Sequence, residues 1–593
     1  MRRTRSVLKK ICFSLLIAAT SHVCADTLSY KNADWTAVLG GRALCRPEQT
    51  SYGFAVLTDG KTLCTYTEKG APLWERSVKG RAEPFLQRLA NDFLLTITDK
   101  KSLSLINPSG LTLWTVQLPF ATDGTLLIGR DDRLFLKGKK EVACYGVNGI
   151  RKWTLDTPET RPNPPLELND GSVLVLLSAL EDGKTKALRL SPFGEILESI
   201  VFSAEIQTAY STQKGVLLSF SGGSAGMCRI QDGKTATKWI IPQRDKAFGS
   251  TTAQDGSVFF TLSRNRGGMA LSSGGGTRVL VFSLEDGRTS DFFDVPVRFK
   301  EAVCIQPSSD GESIFVCGKK EAFLYTSAGK CEWQAALPAA GDVFSKWNHI
   351  FFSQENMLVI CSTSWAMAGF RTKQTVHKKS AAGPQKKPDY RAFLPEVTDY
   401  FQFQEELSES LSGQDRAKRL RNGGYGTKEA EYLSALGAFA DEYRSFLMQS
   451  ASRPHFAEQS VFQRDTAGVE TLILQLNLFG TERFQKTLAS LIRTEGQMAL
   501  LAAALRSVSE CGFDPDGSIL SAMDARLQTI PAQNTAVLCA FCDATYEICR
   551  FMGRPALYAH GMELLKTLFS PQYGSEVKDY ARKTLTKIAS LKI

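Results

Sequence analysis

The residues whose types and spacing come nearest to local chemistry are Cys539, Cys542 and Cys549, the first two in the run Cys539-Ala540-Phe541-Cys542. A Cys-x-x-Cys pair serves as a redox dithiol or as half of a zinc site. Zinc would need two further ligands nearby, and the five histidines, at positions 22, 349, 377, 455 and 560, are scattered without a pair at ligand spacing. The segment reads as helix, which sets Cys539 and Cys542 on one face beside Val537, Leu538 and Phe541. Buried structural cysteines are therefore expected. No phosphate-binding loop of the Walker type occurs either. The expectation is a chain without catalytic residues, metal or cofactor, the alternative being an enzyme whose site is assembled from distant segments.

The elements that would position any site are repeats. Tyr66 to Trp74 (YTEKGAPLW) pairs a short strand with a glycine turn and a tryptophan four residues on, and the pattern returns at Asn107 to Trp114, Tyr145 to Trp153 and Tyr325 to Trp333. Weaker copies surround Gly194, Gly233 and Gly287, where Glu198, a delayed Trp239 and Phe292 replace the tryptophan. The glycines at 70, 110, 149, 194, 233, 287 and 329 are spaced by 40, 39, 45, 39, 54 and 42 residues, the period of propeller blades. Within one period, Pro84 to Ala90, Asp92 to Thr98, Ser102 to Asn107 and Leu111 to Gln117 are four strand-length runs separated by turn residues, which is one blade. Three strands near residues 350–371 lack a fourth, and Ala33 to Leu39, with Trp35, resembles a fourth strand lacking three. Pairing the two ends predicts eight four-stranded blades, one closed by the N-terminal strand.

Glycine permits the positive φ of the turn, and tryptophan supplies an apolar plate with one N–H donor. Gly70, Trp74, Gly110, Trp114, Gly149, Trp153, Gly329, Trp333 and Trp35 are thus expected to dock neighbouring blades. The 54-residue interval carries Arg264, Arg266 and two glycine clusters, a candidate contact loop.

The net charge of +10 resides in two places. Residues 1–25 contain five basic and no acidic residues, followed by the apolar run Ile11 to Ala19 and the small residues Val23-Cys24-Ala25, as in a secretory signal peptide. Residues 371–391 contribute a net +6, and the remainder sums to about −1, so no surface is predicted to track nucleic acid. The expected product is an exported, periplasmic protein, and the alternative is a lipoprotein held to a membrane through Cys24.

The Gly-x-x-x-Trp repeat ends resemble the tryptophan-docking motifs of bacterial PQQ-like, quinoprotein-type β-propellers. The resemblance covers about residues 33–372. That family includes quinone-dependent dehydrogenases, which use adjacent cysteines and a calcium-binding acidic site beside a catalytic aspartate. This sequence has no Cys-Cys dipeptide and no matching acidic cluster. The resemblance therefore implies the scaffold of the non-catalytic branch, with protein partners in the cell envelope.

Beyond Tyr390 the apolar period lengthens to about 3.6 residues, as in Tyr432, Leu433, Leu436, Phe439, Ala440, Tyr443 and Leu447. Further helices are expected at 470–478, 483–493, 497–510, 535–551 and 575–588. The predicted organisation is a signal peptide (1–25), a propeller (26–372), a basic linker (373–389) and an all-α, HEAT-like helical-repeat domain (390–593). The expected function is that of a protein-binding scaffold. A quinoprotein-like enzyme, or a propeller that binds small molecules or carbohydrate through Trp347 and Trp365, is the alternative.

Overall fold

A computed structural model describes residues 26–372, apart from short stretches between strands, Phe393, and residues 428–591 apart from 453–465 and 477–481. Among the described residues there are eight sheets, antiparallel but for one parallel edge strand. Five consist of four consecutive strands in up-and-down order, the repeating unit of a propeller. The second sheet is typical, with strands Ala82–Arg88, Leu94–Thr98, Ser102–Ile106 and Thr112–Gln117. Its second strand is buried along its whole length, because neighbouring sheets cover both faces, whereas the fourth strand alternates toward solvent. This is why the middle strands read as unbroken apolar runs and the outer ones carry the polar residues.

The chain divides into two compact units. The first contains residues 1–46, 66–72 and 241–383. In it Trp35–Val38 pairs antiparallel with Ala366–Arg371, in a sheet completed by Trp347–Phe352 and Met357–Ser362. A second N-terminal strand, Asp26–Thr27, adds in parallel to the outer edge of Cys331–Ala336. Leu28 continues that strand, donating its N–H to the Ala336 carbonyl at 2.9 Å and burying its side chain against Phe315, Phe344 and Phe352. This added strand has no counterpart in the repeat pattern.

The other unit contains residues 47–65, 73–240 and 384–593, so it combines sheets with all of the described helices. These are α1 (Lys428–Ser452), α2 (Thr466–Gln475), α3 (Glu482–Thr494), α4 (Met498–Cys511), α5 (Ser518–Leu527), α6 (Thr535–Met552), α7 (Pro555–Lys566) and α8 (Ser575–Ser590). They pack in two rows, with α2, α4, α6 and α8 in one and α3, α5 and α7 in the other. Such stacking of alternate helices is that of solenoids built from helix pairs. Two of these helices, α5 and α7, fall outside the stretches where the apolar period predicts helix. The second contains Gly561, which weakens a helical signature although Pro555 at its first turn favours one.

No described helix is long and apolar enough to cross a membrane. Residues 1–25, which include Cys24, and the linker 373–389 lie outside the described residues, as does Arg266.

Candidate interaction surface

The repeated glycines and rings meet from one sheet to the next. In the unit that contains the helices, Trp74 covers Gly110, Trp114 covers Gly149 and Trp153 covers Gly194. The three glycines have φ of +82°, +78° and +90°, and a Cβ on any of them would stand 2.6–2.9 Å from the facing indole. Each indole Nε1–H donates to the carbonyl two residues before its glycine, Trp74 to Pro108 at 2.8 Å, Trp114 to Val147 at 2.9 Å and Trp153 to Pro192 at 3.1 Å. The ring thus clamps the following sheet's turn and not its own. In the first unit Trp35 covers Gly70, also lies against Gly369, and is buried. Trp333 is partly buried beside the cluster that contains Leu28 and Phe352.

The ring that meets Gly329 is Phe293, whereas the sequence pattern pointed to Phe292. The same register shift follows the turn in the neighbouring repeats, so the position equivalent to Trp153 is Asp291, and Phe293 shares its face two residues on whereas Phe292 has the opposite parity. Arg264 ends the strand Val258–Arg264 and pairs with Thr277. Gly233 and Gly287 lie outside the described residues.

Glu167 and Arg189, both buried, add a polar fastening that no motif announced. Glu167 accepts the Arg130 backbone N–H at 2.8 Å and its Nε–H at 3.2 Å, and lies 3.7 Å from the Arg133 guanidinium. Arg133 reaches the Pro192 carbonyl at 2.6 Å, so that oxygen is held by both Trp153 and Arg133. Burial pushes the Asp170 carboxyl up, but hydrogen bonds from Ser172 and Arg189 outweigh it and hold the group below its ordinary value.

The helices join the second and third sheets through one continuous apolar core. Phe85, Leu89, Phe93, Leu118, Phe120 and Val147 belong to the same buried cluster as Leu505, Phe513, Phe541 and Phe551. The Phe93 and Phe551 rings meet edge to face at 5.5 Å, and Phe513 meets Phe551 at 6.0 Å. Asn107, 1% exposed, accepts the N–H of Leu111 at 2.9 Å within its own turn and donates Nδ2–H to the Arg550 carbonyl at 2.8 Å. Arg554 donates to Asn91 at 2.6 Å and to the Pro515 carbonyl at 2.7 Å. Gly553, at φ +59°, ends α6 where a Cβ would strike Asn107 at 2.5 Å. The turns after the first and third strands of the second sheet are therefore covered by the ends of α4 and α6.

Cysteine chemistry is subdued. Cys542 and Cys549 are buried, Cys539 is partly exposed, and the cysteines described are free thiols. Burial raises the Cys539 thiol above its ordinary value, with Glu576 and Asp543 adding to the effect, and burial pushes Cys549 up to about 12. Thiolate is the alkylating species. Iodoacetamide at pH 7.5 is therefore expected to label the exposed Cys331 first, Cys539 slowly, and Cys542 and Cys549 only on unfolding. Mass-spectrometric time courses would check the order, and prompt labelling of Cys542 in the native protein would contradict it. Among the described residues no group of three or more His, Cys, Asp or Glu side chains is placed to hold a metal.

Residues 222–226, GGSAG, match a Gly-x-Ser-x-Gly pattern. Ser224 opens the strand Ser224–Gln231, which pairs antiparallel with Gly215–Phe220. A nucleophile elbow places its serine on a strand-to-helix turn, whereas Ser224 lies in a strand.

What remains exposed is apolar in a few places. Ile196, Leu197 and Val201 are 57%, 44% and 59% exposed on one fourth strand, Ile196–Phe202. Val38, Trp365 and Met448 are exposed elsewhere.

No family model matches the chain, and no curated protein matches it. Among solved structures it is similar to BamB from Moraxella catarrhalis, at 13% identity and a TM-score of 0.40, covering 58% of this chain and 98% of that one. It is also similar to the computationally designed Ika8 protein, at 10% identity and a TM-score of 0.41, covering 56% and 98%. The Neurospora crassa Pan2 WD40 domain matches at 12% identity and a TM-score of 0.36, covering 50% and 90%.

Proposed function

We propose that this chain is an exported, non-catalytic β-propeller of the PQQ-like type, with eight blades and a fused helical-repeat platform, that holds protein partners in a bacterial cell envelope. The observation that carries the reading is the concentration of Ile196, Leu197 and Val201 on one outer strand, exposed side chains whose burial would favour association. The sequence of residues 1–25 supports export, and the repeat ends support the family. Within the unit that contains the helices, the turn tryptophans and the shared apolar core fasten neighbouring sheets and helices to one another.

The test uses the full-length tagged chain with a photo-crosslinking amino acid placed singly at Val201, Trp365 or Met448. Ultraviolet exposure of living cells is expected to trap a small, reproducible set of envelope proteins, identified by mass spectrometry. If no position trapped a protein, or if only cytoplasmic proteins were recovered, the reading would fail.

A further inference from the structure

We propose that the outer edge of Ile196–Phe202 is a docking site for an extended β-strand of a partner polypeptide, added in parallel as the chain's own N-terminal strand is added to Cys331–Ala336. The inference rests on the scaffold reading and specifies its contact.

Seven residues after the turn glycine, the fourth strands carry Ser77, Gln117 and Asp156, all exposed. Polar or charged residues at that place oppose edge-to-edge pairing. Among the fourth strands whose side chains are described, two break the rule at the same position, with Ala336 and Val201. At Ala336 the reason is visible, because the added strand pairs Thr27 with Ala336 and the Leu28 N–H bonds the Ala336 carbonyl. Leu337, the next residue, directs its N–H inward to Lys320, so Ala336 presents its backbone outward. Val201 occupies the equivalent outward position, 59% exposed, at the end of its sheet and with no added strand among the described residues.

One other strand offers the same feature. Val38, three residues after Trp35 as Val201 is three after Glu198, is 83% exposed. Its carbonyl already accepts the Tyr66 hydroxyl at 2.9 Å, which takes the acceptor that an incoming strand would need. No described group caps Val201 in this way.

The neighbouring residues define the occupant. Ile200 and Phe202 point into the cluster of Leu174, Leu176, Val216 and Leu218 and anchor the strand, while Leu197, Ser199 and Val201 alternate on the other face. Main-chain hydrogen bonds to the edge would give affinity, and apolar side chains beside Leu197 and Val201 would give preference. The partner segment is therefore extended and β-branched, with an apolar residue every second position.

The probe is a fluorescein-labelled ten-residue peptide of alternating valine and threonine with lysine at both ends, titrated into the full-length protein by fluorescence anisotropy. Val201→Pro removes the outward N–H and leaves the inward ladder intact, and Val201→Lys places a charge on the edge. Each is expected to weaken binding tenfold or more with the melting temperature unchanged, while Asp156→Lys leaves binding as it was. Equal binding to wild type and both Val201 variants would overturn the proposal. The cellular arm separates the two readings. Crosslinks from Val201 to an extended segment of an envelope protein support the edge site. Crosslinks from Trp365 or Met448 with none from Val201 overturn the edge site and leave the scaffold standing. Crosslinks from Val201 only to this same chain overturn the partner in favour of self-association, and silence at all three positions ends both readings.

Discussion

Replacing Trp153 by alanine is expected to destabilise the protein by about 3–5 kcal/mol, the range for deleting a large buried aromatic side chain. Trp153 is 9% exposed, lies 5.9 Å from the Phe135 ring and packs over Gly194 while bonding the Pro192 carbonyl. Trp153→Phe retains most of the apolar contact and removes one hydrogen bond. Because Arg133 still holds the Pro192 carbonyl at 2.6 Å, the cost should fall to about 1 kcal/mol. Gly194→Ala should cost about 1–3 kcal/mol by overpacking, with further strain from a φ of +90°. The double variant Trp153→Ala with Gly194→Ala should lose less than the two single changes added together, since removing the ring removes the 2.6 Å clash. Urea unfolding of the four proteins measures this. Strict additivity would show that the ring and the glycine are not coupled as the packing requires.

Phe551→Ala is expected to cost a similar amount, about 3–5 kcal/mol, and to loosen strands as well as helices. Phe551 joins α6 to Phe93 and Phe513 inside the one cluster that spans both. Hydrogen exchange in the strand Leu94–Thr98 should accelerate in the variant, although that strand lies more than 450 residues away in sequence. A chain ended before Lys428 would expose Leu89, Phe93, Phe120 and their neighbours to water and should aggregate. If the truncated chain were soluble with unchanged protection in Leu94–Thr98, the sheets and helices would be independent folding units. The shared core bears on how partners are sought, because dissecting the chain would confound a lost partner with a lost fold.

The sequence by itself determined the local architecture. Alternation and turn residues located Ser102–Ile106 and Thr112–Gln117 to within one residue at either end, because each strand's burial pattern is imposed by neighbours that repeat with the same period. The recurrence of glycine and tryptophan carried the docking residues, since a positive φ and a flat apolar plate have few chemical solutions. Helix identity beyond residue 428 was legible for α1, α2, α3, α4, α6 and α8, and not for α5 and α7.

Only the tertiary structure decided which surfaces are free. The contact of Phe93 with Phe551 and of Asn107 with Arg550 depends on two distant segments meeting, and no local period encodes a meeting. The same holds for Phe293 in place of Phe292 over Gly329, and for Glu167 with Arg130 and Arg133, whose charges are far apart in the chain. Val201 is in sequence one more valine in an apolar strand, and so is Val38. Pairing at Ala336, the Tyr66 hydroxyl on Val38 and an edge at Val201 without an added strand among the described residues distinguish the three, because whether a strand's outward carbonyl is satisfied is a property of what the fold places beside it.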